Sequence, residues 1–133
     1  MTFETFGKDR LTPVKEIYEE AGWRAYLGND EALCRALEQS LFVLGAFEGE
    51  NLVGFVRCVG DGEHVVIIQD LIVRAACRRQ GIGRMLMEKV FQKYEHVRML
   101  ALFTDAQDEA ANRFYQKIGL RRIEQMGCVS YMR

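Results

Sequence analysis

Two rhythms of apolar and polar positions run along this chain, and where one gives way to the other the elements can be drawn. Thr2 to Phe6 reads as a short first strand. Thr12-Pro13 then looks like an N-cap followed by proline at the first helical position, opening a helix that ends near Gly22. Asn29 or Asp30 caps a second helix running through Gln39, with Leu33, Ala36 and Leu37 on one face. The helical spacing then stops. "SLFVLGAF" and "NLVGFVRCV" flank "EGEN", a hairpin turn, and "DGEH" makes a second turn into "VVIIQDLIV", residues 65–73. That last run is apolar almost throughout, as a central strand covered on both faces must be. A helix from about Gly81 to Tyr94, the strand "RMLALFT", and the helix "DEAANRFYQKIG" closed by Gly119 follow. The tail "RRIEQMGCVSYMR" predicts one or two final strands.

The order is α, α, then three meandering strands, the last of which opens β-α-β-α-β, which predicts an α+β fold: a mixed, mainly antiparallel sheet with helices on both faces. No repeat, low-complexity tract or Pro/Ser-rich linker interrupts residues 1–133, so a single domain is expected. A formal net charge of -1 argues against general affinity for nucleic acid or membrane, although Arg74, Arg78, Arg79 and Arg84 form a local basic cluster. Neither a signal peptide nor a membrane-length apolar run is legible, so a cytoplasmic location is expected. Cys34, Cys58, Cys77 and Cys128 are scattered without a C-x-x-C pair and read as reduced, mostly packed thiols. With His64 and His96 as the only histidines, no metal site is expected.

"RRQGIGRML", residues 78–86, sets two glycines at what reads as a helix start. The first amides of a helix lack partners and its dipole favours negative charge there, so Gly81 and Gly83 clear a path for an anion while Arg78, Arg79 and Arg84 supply charge. The bland alternative is a tight strand-to-helix turn with solvated arginines. Two phosphate motifs fail: the nucleotide P-loop string is absent, and the dinucleotide fingerprint needs glycine where Leu86 stands.

"RRQGIG" fits R/Q-x-x-G-x-G/A, and its setting resembles the GNAT superfamily of N-acetyltransferases, in particular its short single-domain bacterial members. The preceding "IIQDLIV" is similar to that family's central strand, and "ANRFYQKIGL" to its closing segment, with Tyr115 four residues before Gly119-Leu120. The resemblance spans about Leu41 to Leu120 and is weaker over the two N-terminal helices. It implies a sheet that splays between strands 4 and 5, and acetyl-CoA as co-substrate. Its pyrophosphate would lie on amides from Arg79, Gln80, Gly81, Ile82 and Gly83 to Arg84, with Arg78 beside them. Its pantetheine arm would pair with main-chain groups of Leu71, Ile72 and Val73. The chain departs from the family pattern at Ala75, where many members have proline, and at Asp108, where an asparagine often touches the cofactor. Asn112, on the same helical face as Tyr115, is the other candidate for that contact. Dimerisation through the C-terminal strands is a further implication.

Acetyl transfer to an amine needs a deprotonated nitrogen, donors for the oxyanion and an acid for the thiolate. An alkylammonium with a pKa of about 10.4 is mostly charged at neutral pH and cannot attack. Tyr115 matches the family's general acid; packing in the core is its alternative role. Gln69 and Asp70 interrupt an apolar strand, which is expensive unless each is partnered or faces a cleft, and alternation sends them to opposite faces. Asp70 is open between base, carboxylate for the cationic amine, and structural hydrogen-bond partner. His64, Trp23, Tyr26 and Cys128 are lesser candidates; by resemblance Trp23 and Tyr26 would line the acceptor pocket. The expected activity is direct acetyl transfer to a primary amine, small or peptide-borne, in a ternary complex. The rival is a non-catalytic acyl-CoA-binding or interaction module on the same fold.

Overall fold

The computed structural model describes residues 1–133, which divide into two compact units, Met1–Leu102 and Phe103–Arg133. The first holds one five-stranded sheet in the order β1-β2-β3-β4-β5, from β1 (Thr2–Thr5), β2 (Phe42–Glu48), β3 (Asn51–Gly60), β4 (Val65–Val73) and β5 (Met99–Leu102). Neighbours are antiparallel except β4 and β5, which run parallel. A parallel pair needs a crossover connection, and α3 (Ile82–Lys93) supplies it. The other helices of this unit, α1 (Leu11–Ala21) and α2 (Asp30–Gln39), precede β2.

Strand alternation sorts the core into two layers. Val43, Phe47, Phe55 and Ile72 meet Val14, Ile17 and Tyr18 of α1 and Leu33 and Leu37 of α2 in one buried cluster. The opposite face takes α3, whose Ile82, Leu86, Met87 and Val90 are buried and which packs on β2, β3 and β4. Helices therefore cover both faces of a mixed, mainly antiparallel sheet, as the sequence pattern predicts. Between β3 and β4 the turn is organised by Asp61, whose Oδ1 accepts from the amides of Glu63, His64 and Val65 at 2.9, 2.8 and 3.0 Å. Those three bonds favour the ionised form and hold the carboxyl at about 2.

Some predicted boundaries move. The first helix begins at Leu11 after a 3-10 turn at Lys8–Arg10, with Arg10 rather than Thr12 as N-cap. Pro13 falls at the third helical position, where the missing N–H is still one of the unpaired first-turn donors. Gly22 ends that helix in the left-handed conformation at φ 76°. Of the two candidates for the second cap, Asn29 does the work, accepting from the Ala32 amide at 3.0 Å.

The second unit holds α4 (Glu109–Lys117) and a 3-10 turn at Ile123–Met126. Asp108 caps α4 by accepting from the Ala111 amide at 3.0 Å, and Gly119 closes it at φ 102°. The final strands expected in residues 121–133 are not formed. A strand is a pairing and not a local conformation, so the alternation in "CVSYM" is not sufficient to make one.

Candidate active site

β4 leads into a loop, residues 74–81, that is pinned at its start. The Arg74 amide donates to Val53 O at 2.8 Å, its Nε to Leu52 O at 2.8 Å, and its guanidinium meets Glu16 at 3.2 Å. The Ala75 amide donates to Glu20 Oε1 at 2.6 Å, so two carboxylates of α1 hold the loop's first residues. After a 3-10 turn at Ala75–Cys77 the chain reverses through two left-handed residues, Arg79 at φ 65° and Gly81 at φ 78°. Gly81 meets its conformational demand without steric cost, and a Cβ built there finds no atom within 4 Å. The bare backbone thus faces open space.

The first helical bond of α3 runs from the Met85 amide to Gly81 O at 3.0 Å. Ile82, Gly83 and Arg84 are left with unpaired amides, and no side chain caps them. In α2 and α4 a side chain caps the N-terminus, whereas α3 presents its first amides uncovered at a glycine turn. That combination suits an anion. Among the neighbouring arginines, Arg84 is bonded to Glu88 at 3.0 Å and Arg78 Nε to Val73 O at 3.3 Å, while Arg79 is exposed and unpaired.

The edge of β4 is bare over its second half. β5 pairs with Val65, Val66, Ile67 and Ile68 only, so Gln69 to Val73 have no strand on that side. The change coincides with a bulge: Arg57 faces Asp70 and Cys58 faces Ile68, which makes Gln69 the extra residue. Leu71, Ile72 and Val73 follow on the unpaired stretch, with Ile72 buried toward α1.

Alternation predicts Gln69 and Asp70 on opposite faces, but the bulge turns both to the same side, where they reach the stacked rings of Tyr26 and Tyr18. Gln69 is exposed and its Nε2 donates to the Tyr26 hydroxyl at 3.1 Å. Asp70 is 1% exposed beneath α1, where its Oδ2 accepts from Arg57 Nε at 2.6 Å and from the Tyr18 hydroxyl at 2.7 Å. Its Oδ1 is buried without a partner. Burial pushes the Tyr18 phenol far up, and the Asp70 charge adds to it, so this hydroxyl stays a donor. Burial alone would lower Arg57, yet the Asp70 carboxylate outweighs it and the guanidinium is held more firmly charged. Tyr18 stacks on Tyr26 with ring centroids 4.5 Å apart and on Trp23 at 6.1 Å, and the Arg57 guanidinium carbon sits 5.6 Å from the Tyr26 ring centre.

Arg57 and Tyr18 are the members of this group that sequence reasoning missed. A lone arginine inside the apolar run "NLVGFVRCVG" was the available signal, since a charge in one central strand needs an opposite charge in a neighbour. Cys58, next to it, is a free and fully buried thiol that burial pushes up to about 12. His64 is exposed at the Asp61 turn and Cys128 is exposed in the tail.

In the second unit, Asn112 Nδ2 donates to Asp105 O at 2.9 Å and Asp108 O at 2.7 Å, so Asn112 and the capping Asp108 both serve the start of α4. Tyr115 is half-buried beside Phe114, with ring centroids 5.3 Å apart. Burial, with the Asp108 charge second, raises its phenol above the ordinary value near 10.

Comparison with known proteins gives this arrangement a lineage. A GNAT-family acetyltransferase of Streptococcus pneumoniae shares 32% identity at a TM-score of 0.85, covering 98% of this chain and 95% of that one. The PaiA N-acetyltransferase of Thermoplasma acidophilum, solved with coenzyme A, shares the fold at 18% identity and a TM-score of 0.73, over 91% of each chain. An uncharacterized N-acetyltransferase, ycf52, of Gracilaria tenuistipitata var. liui is 29% identical over 90 residues, 63% of this chain. The matched stretch is 48% of that relative, so the chain spans about half of the curated relative's length. The sequence profile of the Acetyltransferase (GNAT) family matches residues 5–120, and the chain belongs to that family.

Proposed function

We propose that this protein transfers the acetyl group of acetyl-CoA to a primary amine by direct attack in a ternary complex. The observation that carries the reading is the continuity of two features: the unpaired edge of β4 from Gln69 to Val73, and the uncapped amides of Ile82, Gly83 and Arg84 after Gly81. An extended arm with amide groups would add to that edge at Leu71, Ile72 and Val73 as a strand does. A pyrophosphate would take the amides between Arg79 and Arg84, with Gln80 at the turn and Arg79 as the unpaired cation beside it. Arg78 and Arg84 would first give up their present bonds.

Tyr115 is the proposed acid for the departing thiolate, on the strength of its place in the family motif, and its raised pKa keeps it protonated at neutral pH. Asp108 and Asn112 have committed their capping groups to α4, which leaves the Asn112 carbonyl oxygen as the better candidate for a coenzyme contact. For Asp70 we favour the structural alternative. Its charge is compensated by Arg57 and its Oδ2 is filled by two donors, so it holds Arg57 and Tyr18 in place and the amine loses its proton to water. Backbone amides near the β4 bulge would serve the oxyanion. Two structural relatives at 20% and 17% identity, an aminoglycoside acetyltransferase and a ribosomal-protein-alanine N-acetyltransferase, have small and protein acceptors respectively.

The test is thiol release from acetyl-CoA against a broad panel of primary amines. Turnover with at least one amine, together with 1:1 acetyl-CoA binding by calorimetry, is expected. Tight binding without turnover across the panel would leave a non-catalytic acyl-CoA-binding module.

A further inference from the structure

The surface beside Gln69 has a composition that selects among amines. Tyr18 is fully buried, but Trp23 and Tyr26, which stack on it, are only half-buried. The Tyr26 hydroxyl accepts from Gln69 Nε2 and has its own proton to give, while Gln69 Oε1 is left as an acceptor. The one carboxylate in this network, Asp70, is cancelled by Arg57 at 2.6 Å. On α1, Glu16 is bonded to Arg74 and Glu20 to the Ala75 amide. A ligand on this wall would meet aromatic side chains and two neutral polar groups, beside an Asp70–Arg57 pair whose charges balance.

We propose that the acceptor is a monoamine with an aromatic or flat apolar body. The body lies against Trp23 and Tyr26, and one N–H of the nitrogen is received by Gln69 Oε1, leaving the lone pair free to attack. This rests on the acetyl-transfer reading above and narrows it. A polyamine or aminoglycoside is disfavoured because its additional ammonium groups need unpaired carboxylates, and the net-neutral Asp70–Arg57 pair supplies none. An aromatic monoamine has no second ammonium group to place and gains stacking area.

Trp23 is the only tryptophan, so its emission reports on this wall without turnover. The full chain is titrated with 2-phenylethylamine and with spermidine in the absence of acetyl-CoA, and kcat/KM is measured for both amines and for n-butylamine. We expect a saturable change in emission with phenylethylamine alone, and a kcat/KM for it at least about tenfold above that for spermidine. Trp23→Ala should raise KM for phenylethylamine by about 3- to 10-fold while n-butylamine changes by less than about twofold. Tyr26→Phe keeps the ring and should lower kcat/KM for both monoamines by about fivefold, the scale of one hydrogen bond. A preference for spermidine, or a Trp23→Ala loss that is equal for every amine, overturns the inference and leaves acetyl transfer standing. An unchanged emission with phenylethylamine also overturns it. Phenylethylamine binding without turnover of any amine sinks the acetyl-transfer reading and keeps the preference of the wall.

Discussion

Asp70 shows how much a single residue's role depends on what lies opposite. Broken on one side, a buried ion pair leaves an uncompensated charge, so Asp70→Asn should cost about 3–5 kcal/mol of stability in chemical denaturation. The double variant Arg57→Met with Asp70→Leu should recover most of that loss, since removing both charges removes the penalty. Turnover per folded molecule of Asp70→Asn should stay within about tenfold of the parent; a fall of roughly 10²–10⁴ at unchanged stability would restore Asp70 as the base. Tyr115 makes the opposite kind of claim. Its phenol, raised by burial, is protonated below its folded-state pKa and loses the proton as pH rises through it, so the rate should decline on an alkaline limb above pH 10. Tyr115→Phe should abolish that limb and lower turnover about 10- to 10³-fold with acetyl-CoA affinity nearly kept. Equal turnover where chemistry limits the rate would make Tyr115 a packing residue.

At the scale of elements, local chemistry was legible and pairing was not. The glycines of "RRQGIG" announced a helix with a bare start because backbone freedom is a property of the residue itself. The run "VVIIQDLIV" announced a central strand with a polar interruption. Its bulge was invisible, because the extra residue exists only relative to the register with β3; Arg57 was visible as a lone charge, but only that register sets it opposite Asp70. The tail's failed strands have the same cause. Two predictions belong here. Gly83→Val, inside the first turn of α3, should leave the fold intact but crowd the approach to the free amides, weakening acetyl-CoA at least about tenfold; a folded variant with unchanged affinity would refute the anion site. Asp61 has a folded pKa of about 2, below its ordinary 3.8. Its contribution to stability is complete above the unfolded value and lost as pH falls through the folded one, so it should disappear between about pH 4 and pH 2. Asp61→Ala should flatten the acid-unfolding curve in that window; an identical curve would mean the turn does not need the carboxylate.

For the whole molecule, family membership rests on residues 5–120, while the proposed acceptor preference rests on a few side chains of α1, the following turn and β4. One element serves both. Within two turns of a single helix, Tyr18 supports the aromatic wall while Glu16 and Glu20 clasp Arg74 and the Ala75 amide at the root of the loop proposed to hold the pyrophosphate. A rigid helix fastened at both places cannot settle at one without the other registering it, so the two substrates should not bind independently. Affinity for acetyl-CoA should change by about fivefold or more when a non-reactive amine analogue saturates the protein, and the analogue's affinity should change by the same factor in return. Glu20→Gln, which weakens the clasp without touching either ligand, should bring that factor toward one in paired calorimetric titrations. A factor already at one in the parent protein would mean that α1 carries the two attachments without carrying any message between them.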